Sequence, residues 1–397
     1  MSALQQSPLT DFGHSERHPR LEEAVALLRR LIATPSPSRE ETATADIWEE
    51  WLRERCGDAV ERLHNNVYVV APGFDPLRPT LMLNSHHDTV RPAASYTRDP
   101  YAPDIVTDDS LPGISGDRLY GLGSNDAGAS GVSLACTFLD LAGFGRASSD
   151  GIPSTNGESK PLPVNLIFAI TAAEEVMGEL GMRAFLPHLA ERGLRPDMVL
   201  VGEPTGMQPA IAERGLLVFD CVTLGKSGHA ARNEGINAIY RAMEDIDRLR
   251  SFSPENVSAV LGSIKVSVTM ISAGTQHNVV PDTCKFVTDV RTTDAYSNEE
   301  TVRLLQQTVK WTEMTPRSTR VHASVIGYDH PLVKSAVALG RQPFVSPTTS
   351  DMALMHGIPS LKMGPGESAR SHSADEYVLL SEINDALHLY PQLIESL

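Results

Sequence analysis

Residues 79–90 read PTLMLNSHHDTV. The apolar run Thr80–Asn84 leads straight into Ser85-His86-His87-Asp88. So short a run, bounded by Pro79, reads as a strand with polar side chains gathered at its carboxyl end. The arrangement recurs along the chain. The strand-like run Val164–Ile170 enters Thr171-Ala172-Ala173-Glu174-Glu175, and Met198–Val201 enters Gly202-Glu203-Pro204. Ser360–Met363 enters a Gly-rich turn and then Ser371-His372. Asp126 stands in GLGSNDAGASG (121–131), a Gly-rich loop that opens a helix over Gly131–Ala142.

Helical spacing also marks residues 21–34, where Leu21, Val25, Leu28 and Ile32 share one face. Ser38, with Glu41 three residues on, reads as the capping box of a second helix ending near Cys56. A further strand is expected at Val67–Val70 and a helix at Gly181–Glu191. Strands alternating with helices predict an α/β domain of three layers around a largely parallel sheet. Residues 145–163 are rich in Gly, Ser and Pro and read as an exposed loop.

From residue 212 to 326 the rhythm changes. Strand Leu216–Leu224, helix Asn237–Arg250, strands Ser263–Ser272 and Cys284–Thr292, helix Asn298–Trp311 and strand Arg320–Ile326 follow in turn. That order is β-α-β-β-α-β, the ferredoxin-like pattern. The expected organisation is one domain from 1–211 and 327–397, with 212–326 inserted.

The composition removes several classes of function. The 397 residues carry 50 acids and 34 bases, a formal net charge of −16, and no Lys/Arg run that would bind nucleic acid. The acidic balance argues against anionic membranes, and no apolar run approaches the ~18 residues of a membrane span. The first residues, MSALQQSPLTDFGHSERHPR, hold no apolar signal core, so a cytoplasmic location is expected. The four cysteines (56, 136, 221, 284) form no CxxC, which excludes a thiolate zinc ribbon and a dithiol redox site. Gly225-Lys226-Ser227 lacks the glycine a phosphate loop needs at 220, where Asp220 stands. Only 28 residues follow the dinucleotide-like Gly364–Ala369, and no GxSxG nucleophile elbow occurs.

What remains is the polar set at the strand ends. In open α/β sheets the ligand crevice lies beyond the carboxyl ends of the strands. The segments carrying His86, Asp126, Glu174-Glu175, Glu203 and His372 are therefore expected to converge. So many carboxylates repel one another unless a cation sits among them. Two histidines and several carboxylates, without cysteine, suit Zn²⁺, Co²⁺ or Mn²⁺. Asp126 could bridge two such ions, leaving His86 and Glu203 for one and Glu175 and His372 for the other. His86 and Asp88, at i and i+2, share one side of an extended segment, so Asp88 can accept the second imidazole N–H. Glu174 and Glu175 point in different directions; one can hold metal while the other acts on water as general base.

The ordered set SHHDTV (85–90), GLGSNDAG (121–128), AAEEVMG (172–178), VGEPT (201–205), GKSGHAA (225–231), HNVVPD (277–282), DVR (289–291) and GPGESARSHSADE (364–376) resembles the co-catalytic dizinc aminoacylase and carboxypeptidase family. The resemblance spans nearly the whole chain. It implies a metallohydrolase with two divalent ions, Zn²⁺ by default with Co²⁺ or Mn²⁺ as alternatives. His86, Asp126, Glu175, Glu203 and His372 are then the ligands, Glu174 the base, and Asp88 the residue that orients His86. It further implies that 212–326 forms a homodimer, that His229 polarises the scissile carbonyl from a partner's inserted domain, and that Asn278 and Arg291 contact substrate. Arg291 would pair with an α-carboxylate. YTRDPY (96–101) and RLYGLGSND resemble the acetylornithine-deacetylating branch, which implies an N-acyl amino acid as substrate. That branch has Asp-Met-Lys-Gly where this chain has Asp126-Ala127-Gly128, without the lysine. N-acetylcitrulline, N-succinyl amino acids and dipeptides stay open as substrates.

Overall fold

The computed structural model describes residues 16–107, 116–144, 162–232 and 234–397. The N-terminal stretch to residue 15 and all but the last two residues of the 145–163 loop fall outside them. The described residues form two compact units. Among the described residues, one comprises those up to Pro209 together with Asp329–Pro343 and Leu361–Leu397; the other comprises those from Ala210 to Tyr328 together with Phe344–Ser360. Phe344–Ser360, assigned from sequence to the first domain, belongs with the second unit. Phe344–Val345 pairs in parallel with Ala210–Glu213, and the buried Glu213 carboxylate accepts the N–H and hydroxyl of Ser350.

In the first unit the strands run in the order Val60–Leu63, Asn66–Val70, Asn165–Thr171, Thr80–His86, Met198–Val201, Ser360–Lys362. Thr80–His86 pairs in parallel with both neighbours, and the Val60–Val70 hairpin adds antiparallel strands at one edge. Every residue of Thr80–His86 and of Asn165–Thr171 is buried, as expected of parallel strands covered on both faces. Their apolar side chains drive that burial, at roughly 1.5–3 kcal/mol for each large one. Trp48 of helix Thr42–Cys56 and Phe138 of helix Ala129–Leu141 both pack on Phe168, with ring centroids 6.0 Å apart. Helix Leu380–Glu395 packs on Ala129–Leu141.

The expected capping box at Ser38 and Glu41 does not form. Helix Thr42–Cys56 starts without a side-chain cap, and the Ser38 hydroxyl donates to Asp88 instead at 2.7 Å.

The second unit holds a four-stranded antiparallel sheet in the order Lys265–Ala273, Thr283–Thr292, Gly215–Leu224, Thr312–Pro316, with helices Ala238–Arg250 and Asn298–Thr308. Numbered along the chain, its strands lie 2-3-1-4, the ferredoxin-like arrangement. The fourth strand is Thr312–Pro316, not 320–326. The helix before it stops at Thr308 because the buried Asp245 carboxylate takes the N–H groups of Lys310 and Trp311 and the Thr312 hydroxyl. Ser324–Val325 pairs with Ala210–Glu213. Among the described residues no helix is long and apolar enough to cross a membrane.

Candidate metal centre

The first unit brings seven of the residues picked out by sequence to one place. His86 ends its strand, Glu174 and Glu175 follow Asn165–Thr171, and Glu203 lies two residues past Met198–Val201. Asp126 sits in the turn before helix Ala129–Leu141, and His372 lies beyond Ser360–Lys362. His86, Asp126 and Glu203 present ligand atoms within 4.8 Å of one another, as do Asp126, Glu175 and His372. A third grouping joins His86 to Glu174 and Glu175.

Asp126 is shared. Its Oδ1 lies 3.3 Å from His86 Nε2, and its Oδ2 lies 3.6 Å from His372 Nε2. Glu203 Oε1 stands 3.6 Å from His86 Nε2, and Glu175 Oε2 stands 3.0 Å from His372 Nε2. Two donors, each 2.0–2.1 Å from one tetrahedral ion, would be about 3.3 Å apart, so these spacings fit a divalent cation.

The electrostatics point the same way. Burial pushes the Glu203 carboxyl up to about 8, Asp126 adds to the rise, and His86 opposes it. Burial also raises Glu175. For Asp126 burial works upward, yet the hydrogen bond and charge of His86 hold it below the ordinary carboxylate value. Burial alone would lower His86, but its bonds to Asp126 and Asp88 raise it well above the usual imidazole value. With so many carboxylates buried together, a dication among them neutralises the cluster directly.

Asp88 meets His86 twice and does more besides. His86 Nδ1 lies 2.9 Å from the Asp88 backbone carbonyl and 3.5 Å from its carboxylate. The same carboxylate also reaches the Glu174-Glu175 turn. Asp88 Oδ1 accepts the N–H of Glu174 at 3.0 Å, and Oδ2 accepts that of Glu175 at 3.2 Å. The turn needs holding, because Ala173 has a left-handed φ of +57°. His87 faces away and is a structural residue: Thr44 Oγ1 lies 2.9 Å from Nδ1, and the Asn65 carbonyl lies 2.8 Å from Nε2.

Three residues of the site escaped the sequence reading. Ser38 was hidden by its resemblance to a helix cap. Glu376 is buried, and its Oε1 accepts the N–H groups of Asn125 and Asp126 at 2.8 and 2.9 Å. Asn125 is buried beside Asp126. Both lie inside the quoted motifs, but their partners are backbone groups with no sequence signal. Gly128, in the same turn, is closely packed. A Cβ at Gly128 would lie 2.4 Å from the Gly123 carbonyl oxygen and 2.6 Å from Leu28 Cδ1.

His229, Asn278 and Arg291 belong to the second unit. His229 is exposed in the short strand Gly228–His229, which pairs with Val279–Val280, and its Nδ1 accepts the Ala231 N–H. The Asn278 carbonyl accepts the Ala230 N–H. The Arg291 guanidinium is engaged by both carboxylate oxygens of Asp289, at 2.9 and 3.2 Å.

Residues 82–396 match the sequence profile described as Peptidase family M20/M25/M40. The chain is 25% identical to an acetylornithine deacetylase of Proteus mirabilis, over 95% of this chain and 97% of that protein. It is 27% identical to a succinyl-diaminopimelate desuccinylase of Dinoroseobacter shibae, over 94% and 98%. A solved structure from Bacillus subtilis, titled a dinuclear metal binding peptidase from the M20 family, superposes with a TM-score of 0.64 at 18% identity, over 95% of this chain and 99% of that one. The profile covers most of the chain, and the chain therefore belongs to peptidase family M20/M25/M40, which makes it an amide hydrolase.

Proposed function

We propose that the protein is a two-metal hydrolase that removes the acyl group from an N-acyl amino acid, with N-acetyl-L-ornithine as first candidate and L-ornithine and acetate as products. The observation that carries the reading is Asp126, whose two carboxylate oxygens face His86 and His372 separately. His86, Asp126 and Glu203 would hold one divalent cation, and Asp126, Glu175 and His372 the other. Zn²⁺, Co²⁺ and Mn²⁺ suit this nitrogen and oxygen donor set. When bound, the ions supply Lewis-acid polarisation of the acyl oxygen and a more acidic water.

The chain's own groups do the rest. Glu174, its backbone fixed by Asp88, takes a proton from the attacking water and passes it to the leaving amine. By the family resemblance, Arg291 exchanges Asp289 for the substrate α-carboxylate, Asn278 contacts substrate, and His229 of the partner subunit donates to the acyl oxygen. The second unit serves as the dimerisation module of a homodimer. Its edge strand Lys265–Ala273 leaves Met270 and Ile271 exposed, a form that invites pairing with a second copy. Four buried free thiols support a reducing, cytoplasmic setting.

The desuccinylase likeness favours N-succinyl amino acids as the second substrate reading. Release of free amine, measured with Zn²⁺- or Co²⁺-loaded protein and a Glu174→Gln blank, separates the readings. N-acetyl-L-ornithine, N-acetyl-L-citrulline, N-succinyl amino acids and dipeptides form the panel. Turnover of N-acetyl-L-ornithine by wild type alone supports the proposal; turnover of dipeptides alone overturns the deacylase reading.

A further inference from the structure

Asn125 is buried, next in sequence to Asp126, and its side chain reaches across to another ligand-bearing loop. Its Oδ1 accepts the Glu367 N–H at 2.9 Å, while its Nδ2 donates to the Glu367 carbonyl at 3.1 Å and to Ser371 Oγ at 3.4 Å. The amide thus pairs with both backbone groups of Glu367, as a neighbouring strand would. The close approach requires glycine at 366: the residue has a φ of +87°, and a Cβ there would stand 2.3 Å from Asn125 Oδ1. Glu367 is also bridged to Thr205, two residues past Glu203. The backbone N–H of Asn125 is held by Glu376, four residues past His372.

We propose that Asn125 is a positioning residue that keys the His372 loop to Asp126 and so sets the second of the two metal positions, the one formed by Asp126, Glu175 and His372. The proposal rests on the two-metal reading. The two positions depend on Asn125 unequally. Glu203 is fixed by the sheet next to it: the Gly202 N–H donates to the Asn84 carbonyl at 2.7 Å, and the Gly202 carbonyl accepts from Ser85 Oγ at 2.8 Å. Among the described residues no strand pairs with His372. It follows one short helical turn, Ser368–Arg370, and takes a left-handed φ of +56°. That turn is held by the Arg370–Glu382 ion pair, by the Thr205 bridge to Glu367 and, at its two ends, by Asn125 on Glu367 and on Ser371. Removing the Asn125 amide takes two of these ties from the His372 loop, while the Gly202 bonds beside Glu203 stay in place.

The test is a Co²⁺ titration of metal-free full-length protein, followed by calorimetry and visible absorption. Wild type takes up two equivalents. Asn125→Ala is expected to bind the first equivalent as wild type does and the second about tenfold or more weakly, with a changed absorption spectrum for that second ion. Asn125→Leu keeps the volume without the hydrogen bonds and carries the test if the alanine variant melts. Asn165→Ala, at a buried asparagine bonded to the Asp75 and Arg78 carbonyls, serves as the structural control and lowers stability without separating the two equivalents. Two wild-type affinities in the Asn125 variants, or an equal weakening of both, overturn the proposal. Fewer than two equivalents in wild type shows instead that the two-metal reading fails, and the positioning role with it.

Discussion

The Asp88 carboxylate accepts the backbone N–H of Glu174 at 3.0 Å. Its second oxygen takes the Glu175 N–H and the Ser38 hydroxyl. Asp88 is fully buried, and the His86 and Ser38 hydrogen bonds overcome the effect of burial to hold its carboxyl below the ordinary range. One anion therefore fixes the direction of both glutamates. Asp88→Asn puts an amide donor where two N–H groups converge. Turnover or metal affinity should fall roughly 10–100-fold, as for other residues that orient ligands. Ser38→Ala removes one hydrogen bond and should cost about 1 kcal/mol in denaturant unfolding with a smaller kinetic effect.

Glu174→Gln keeps the shape of the site and removes the proton acceptor. Turnover should drop by about 10²–10⁴ while bound metal, measured by elemental analysis, stays at the wild-type level. Near-normal turnover would move the base elsewhere.

Gly128 is packed where a side chain does not fit. Gly128→Lys forces a Cβ against the Gly123 carbonyl and Leu28. Overpacking of this kind costs about 1–3 kcal/mol, so the melting temperature should fall. An unchanged melting temperature would show that the turn gives way freely.

The second unit contains a stacked pair, His322 and His356, with ring centroids 4.4 Å apart. Burial lowers the His322 pKa, the His356 charge lowers it further, and Glu299 opposes both. The unfolded chain then binds a proton that the folded chain refuses, so stability falls as pH drops through about 6.5. Melting temperature should decline between about pH 7.5 and 5.5, with a shallower slope in His322→Gln. Equal slopes would remove His322 from the account.

Met270→Lys together with Ile271→Asp places charges on the exposed edge strand Lys265–Ala273. Light scattering should show wild-type dimers and variant monomers. A monomeric wild type would end the dimer proposal.

The sequence showed the strand ends because the metal-type side chains follow short apolar runs, and Thr80–His86 and Met198–Val201 do end beside His86 and Glu203. It also showed the β-α-β-β-α-β insert, whose helices and long strands carry strong periodicity. It misplaced the last strand because Thr312–Pro316 is short and ends in proline, and because the signal that stops the preceding helix is Asp245, distant in sequence. It misassigned Ser38 because S-x-x-E looks the same in a cap and in a site. Asn125 and Glu376 stayed silent for a different reason. They act on backbone N–H and C=O groups, which every residue has, so only the folded chain reveals which ones they meet.

The most direct measurement is amine release from N-acetyl-L-ornithine by metal-free protein as Zn²⁺ or Co²⁺ is added stepwise. The account predicts no turnover without metal and activity that rises until two ions are bound per chain. Full turnover by metal-free protein, or binding of two ions with no hydrolysis of any N-acyl amino acid or dipeptide, would contradict it.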